Sequence, residues 1–117
     1  MDDATLRRFD QRVTALLDAT RPPAERRAER LELDIALHSA IAEAAGSANL
    51  SRLLGDLRRR MLLFATPPQP RRLEDACAEY RHILAALHAG DAAAARTAMA
   101  AHVEALRSAI LHRLAAL

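Results

Sequence analysis

Leu31-Glu32-Leu33-Asp34-Ile35-Ala36-Leu37-His38-Ser39-Ala40-Ile41-Ala42-Glu43-Ala44-Ala45-Gly46 carries a helical pattern with two polar residues set into it. Leu31, Ile35, Ile41, Ala42 and Ala45 recur at helical spacing, and Gly46 is a natural left-handed stop. Asp34 and His38 fall on the same stripe, one turn apart. A face that should be aliphatic therefore carries a carboxylate and an imidazole side by side. Burying both without partners is costly, so the segment reads as a core helix with a site built into it.

Working outward, Pro22-Pro23 marks where this helix begins, because proline fits the first helical turn. Upstream, Leu6, Phe9, Val13, Leu16 and Leu17 define a first helix that starts at the acidic pair Asp2 and Asp3. Downstream, Ser47 or Asn49 caps a third helix with Leu50, Leu53, Leu54, Leu57, Met61 and Phe64 on one face. Thr66-Pro67-Pro68-Gln69-Pro70 breaks the chain. A fourth helix from about Arg71 to Ala89 carries Leu73, Ala76, Cys77, Leu84 and Leu87. Gly90-Asp91 then joins it to a fifth, with Met99, Val103, Leu106 and Ile110 as its stripe. Five helices with short connections predict an all-α antiparallel bundle in a single domain over residues 1–117.

Composition agrees. A chain of 117 residues has room for one core. Hydrophobic residues make up 51% but aromatics only 3%, which favours tightly packed helices over sheets. The net charge is +2, all 17 basic residues are arginine, and no long basic tract or aromatic interleaving points to nucleic acid. Cys77 is the single cysteine, which excludes an internal disulfide and fits a reducing compartment. No stretch of about 20 apolar residues and no signal pattern occurs, so a soluble, cytoplasmic protein without a membrane partner is expected.

Two more helices place polar groups on apolar stripes. Tyr80 sits among Ala76, Cys77 and Leu84, and His102 sits between Met99 and Leu106. Two readings fit. In one, Asp34, His38 and His102 hold a first-row divalent metal, with Tyr80, water or a ligand oxygen completing the shell. In the other, His38 bonds Asp34 or a backbone carbonyl, and His102 and Tyr80 satisfy one another as core polar groups. Arg60, on the row of Leu53, Leu57 and Phe64, snorkels to solvent or reaches inward as a fork for a carboxylate effector, with Arg58 as a second candidate. His82 faces away from Tyr80, His88 complements a helix terminus, and His112 lies at the surface.

Leu33 to Ala42, with Asp34, Leu37 and His38, resembles the Asp-x-x-Phe-His signature of the FCD (FadR C-terminal) ligand-binding domains of GntR-type transcription regulators. Ala44-Ala45-Gly46 and Asn49-Leu50 match the turn that follows in that family. Ile83-Leu84-Ala85-Ala86-Leu87-His88-Ala89-Gly90-Asp91, Ala95 and Met99-Ala100-Ala101-His102 match its closing pattern. The resemblance covers nearly the whole chain and implies a helical effector domain. In the metal-binding subgroup it maps the aspartate to Asp34 and two of three histidines to His38 and His102, for zinc, nickel or a similar divalent metal. Tyr80, after Glu79, stands where the third histidine belongs, and a neutral phenol is a poor ligand for such metals. The family's winged helix and first bundle helix have no counterpart, so an apolar groove and a homodimer are expected.

The resulting expectation is an effector-sensing domain that binds a small organic acid in the bundle interior. It is not an enzyme, and it meets DNA only through a winged-helix domain outside this chain. Two alternatives stay open. Two histidines and a carboxylate are also the triad of iron-dependent oxygenases, and a site altered at Tyr80 is compatible with a structural dimerisation module that has lost its ligand.

Overall fold

The computed structural model describes residues 1–46, 48–64 and 73–116, with side chains except at 50, 57, 58, 60–64 and 113. The chain is all-α, with no strand among the described residues: α1 (Asp3–Leu16), α2 (Pro23–Ala44), α3 (Ala48–Phe64), α4 (Leu73–His88) and α5 (Ala92–Ala115).

The helix ends follow from local chemistry. Asp2 caps α1, its Oδ1 accepting from the Thr5 amide at 2.8 Å. Asp18 folds the turn after α1 by accepting from the Thr20 amide and hydroxyl, and Arg21 ties that turn to α2 through Glu25 and Glu29. Pro23 opens α2, and Gly46, at φ +73°, closes it. Between α4 and α5, Gly90 has φ +68°. There the Asp91 amide bonds the Ala86 carbonyl and the Gly90 amide bonds the Leu87 carbonyl, the Schellman arrangement. Asp91 then caps α5 by accepting from the Ala94 amide at 3.0 Å. One joint thus closes a helix and opens the next with no spare residue. Asn49 does not cap α3: it lies inside the first turn and accepts from Arg52. The alternative cap Ser47 and the Thr66–Pro70 break lie outside the described residues.

α1 packs on α2 and α4, α4 on α5, and α2 on α3. The core joins Leu6, Phe9, Val13 and Leu16 of α1 to Leu33 and Leu37 of α2 and to Ala76, Cys77, Ile83 and Leu84 of α4. Each large aliphatic side chain buried there contributes on the order of 1.5–3 kcal/mol.

Two stripes differ from the sequence expectation. In α2 the buried residues are Arg30, Leu33, Asp34, Leu37 and Ala42, so Ala42 of the expected stripe is buried, while Leu31, Ile35 and Ile41 are half-buried and Ala45 is exposed. α2 is apolar around much of its circumference, so its spacing leaves the rotation open; packing against α1 and α3 on different sides sets it. In α5, Val103 is 51% exposed and Ile110 is exposed, while Ala98 and Met99 pack against the core. Leu53 of α3 is also exposed, and the side chains of Leu50, Leu57, Met61 and Phe64 lie outside the described residues. No helix among the described residues is long and apolar enough to cross a membrane.

Candidate metal and effector site

Where α2, α4 and α5 converge, the aliphatic core gives way to a polar cluster. α2 contributes Arg30, Asp34 and His38 at successive turns of one face, α4 contributes Glu79 and Tyr80, and α5 contributes His102. Asp34 is 4% exposed, His102 2% and Tyr80 0%. The Tyr80 hydroxyl donates to Asp34 Oδ1 at 3.0 Å. His102 Nε2 meets the same oxygen at 3.0 Å, and its Nδ1 meets Glu79 Oε1 at 2.7 Å. His38 Nε2 is 3.7 Å from Asp34 Oδ1, and its ring stands edge-on to His102 with centroids 5.5 Å apart.

Those distances favour the protonated form of His102, because a ring nitrogen facing an ionised carboxylate oxygen at hydrogen-bond distance donates to it, and both nitrogens of this ring face one. Burial works against that charge. Hydrogen bonds to Asp34 and Glu79, together with the two carboxylate charges, outweigh it and raise the His102 pKa. Tyr80 is pushed up as well, first by burial and then by the Asp34 charge, so the phenol keeps its proton and spends it on Asp34.

The donor set fits a divalent metal in part. Ligand atoms of Asp34, His38 and His102 lie within 4.8 Å of one another, an oxygen and two nitrogens of the kind that borderline metals select. The Glu79 bond holds Nδ1 protonated and so presents Nε2 as the ligating atom, the supporting role a carboxylate plays behind a metal-bound histidine. Tyr80 lies in the same polar cluster, and in the metal-free structure its phenol keeps its proton and donates it to the carboxylate a metal would use.

The structure brings Asp34, His38, His102 and Tyr80 together as the sequence pattern implied. Arg58 and Arg60 fall on α3, and their side chains lie outside the described residues. His82 and His112 are exposed, and His88, in the last turn of α4, bonds Asp10 of α1 at 2.8 Å. The sequence reading passed over two groups. Glu79 was visible only as the neighbour of Tyr80. Arg30 lies one turn before Asp34, on the Leu33–Leu37 line rather than the Leu31–Ile35 line, and centring the stripe on Leu33 and Leu37 is the signal that would have found it.

A family model described as the FCD domain matches residues 1–105. No curated protein and no solved structure matches the chain.

Proposed function

This chain belongs to the FCD domain family, the effector-binding domains of GntR-type transcription regulators, and from that premise we propose that it senses a small organic acid at the interior site of Asp34, His38 and His102. The observation that carries the reading is the convergence of buried polar groups from three helices on one carboxylate oxygen in an otherwise aliphatic interior. Packing alone has no use for such a cluster, since buried polar groups gain little over well-packed hydrophobic ones.

Asp34, His38 and His102 would hold a divalent metal, with Glu79 orienting His102. A metal held there supplies a Lewis-acidic centre with open positions for carboxylate oxygens. Loading requires that His102 give up its Nε2 proton, and that Asp34 release the Nε2–H and the Tyr80 hydroxyl. The Tyr80 bond to Asp34 favours a second version in which the acid is held by the polar side chains without metal. Elemental analysis of the purified protein and of Tyr80→His separates the two: metal in the variant alone means that the tyrosine suppresses an intact site.

Binding acts by differential affinity between states, not by chemistry. α5 is attached at His102, so an occupied site changes how α5 seats on α4. In a homodimer linked to winged helices, that change alters their spacing on an operator. The exposed apolar residues Val103, Leu111 and Leu114 of α5 support a partner surface. Isothermal titration with lactate, pyruvate, gluconate and citrate, with and without zinc or nickel, tests the reading. Saturable binding by one of them is expected, and no binding in any arm rejects it.

A further inference from the structure

α5 carries His102 on its inner face, and its outer face has an order of its own. Thr97, Ala100, Glu104, Arg107, Leu111 and Leu114 follow one another in steps of three and four residues, the spacing of a seam between two packed helices. All six are exposed. Leu111 lies nine positions beyond His102, ~180° round the helix, so the seam points away from α4. Along it the chemistry runs small, small, acid, base, large, large. Glu104 and Arg107 pair at 3.0 Å while their side chains stay 61% and 63% exposed, and Leu111 and Leu114 are 48% and 58% exposed.

That order is complementary to its own reverse. When a second α5 lies antiparallel across a two-fold axis at the level midway between Ala105 and Leu106, Thr97 faces Leu114 of the second copy, Ala100 faces Leu111, and Glu104 faces Arg107. Each leucine then covers a small residue, and the acid and base in the middle become a square of alternating charges. A parallel pair instead sets Glu104 against Glu104 and Arg107 against Arg107, which is unfavourable, and leaves the small residues facing one another across a gap. We propose that the outer face of α5 docks on the same face of a second copy of this chain, antiparallel and in that register. The proposal rests on the reading of the domain as a dimeric sensor and gives the dimer its surface: one rigid helix holds the site residue His102 on one side and the partner on the other. From Thr97 to Leu114 the overlap is ~25 Å. A single helix pair of that length is at the small end of specific interfaces, so the dimer is weak and the charge pair decides its orientation.

The test is sedimentation velocity from about 1 µM to about 1 mM on wild type, Glu104→Arg, Arg107→Glu, the double variant carrying both changes, and an equimolar mixture of the two single variants. Wild type is expected to pass from monomer to dimer across the range. Each single variant dimerises at least about tenfold more weakly, because the two-fold axis puts two like-charge contacts into the interface. The double variant and the mixture, in which acid again faces base, return to wild-type behaviour. Wild type that stays monomeric overturns the proposal, as do single variants that dimerise unchanged, or a double variant and mixture no stronger than the single variants. Circular dichroism of each variant separates a lost interface from a lost fold. Titration of lactate, pyruvate, gluconate and citrate in zinc distinguishes this from the sensor reading. Acid binding by a wild type that stays monomeric overturns the seam and leaves the sensor reading intact, whereas dimers that bind no acid overturn the sensor reading and leave the seam.

Discussion

α1 and α5 pack against the same helix, α4, by different physics. α1 spans 14 residues and buries Leu6, Phe9, Val13 and Leu16. α5 spans 24 residues, yet the one side chain it buries among the described residues is His102, with Ala98 and Met99 packed beside the core. Burial of hydrocarbon is the main attachment of α1, with the His88–Asp10 contact at its exposed edge. Hydrogen bonds to Asp34 and Glu79 hold the middle of α5, and their strength depends on what those carboxylates are bound to. A sensing domain needs both kinds of attachment: a fixed frame, and an element whose docking is conditional.

The contrast can be broken at its firm side first. Leu16→Ala should lower the free energy of unfolding by about 3 kcal/mol, the usual range for a buried leucine, as read by urea denaturation. Its zinc and acid affinities should match wild type. A parallel loss of affinity would mean that α1 and the site are one unit. On the conditional side, zinc at a hundredfold excess over its Kd should protect the amides around Ala98–Leu106 by up to ~2.7 kcal/mol in hydrogen exchange, with α1 unaffected. Equal protection of both helices would dissolve the distinction.

Glu79→Gln sharpens the comparison further. It keeps shape but removes the charge behind His102, and zinc affinity should fall about 10- to 100-fold with little change in melting temperature. The smallest expected effect is a pH dependence in the metal-free protein. Because the folded His102 pKa is raised, its contribution to stability is complete below the unfolded histidine value of about 6.5 and is lost as pH rises through the folded value. Melts in chelator should therefore show stability declining above neutrality, and His102→Gln should remove that slope. An unchanged slope would mean that other groups titrate there.

The fold was legible because its punctuation is chemical. Pro22-Pro23, Gly46 and Gly90-Asp91 each dictate a backbone event regardless of distant partners. Asp34, His38, Tyr80 and His102 were legible for a related reason: each is a polar residue at a position whose helical neighbours are apolar. The rotation of α2 was not legible. Leu31 and Ile35 compete with Leu33 and Leu37, and only contact with α1 and α3 decides between them. That ambiguity also hid Arg30, whose placement depends on which line is buried. Glu79 was hidden because a half-exposed glutamate looks like any solvated acid until an imidazole from another helix meets it.

The Gly90-Asp91 joint gives α5 the mechanics of a lever. Both of its residues are committed to hydrogen bonds, so a rigid rotation of α5 on α4 would turn about that end. His102 stands ~16 Å along the shaft from that pivot and Ala115 ~36 Å, at 1.5 Å per residue. In such a rotation a small displacement at the imidazole would be roughly doubled at the far tip.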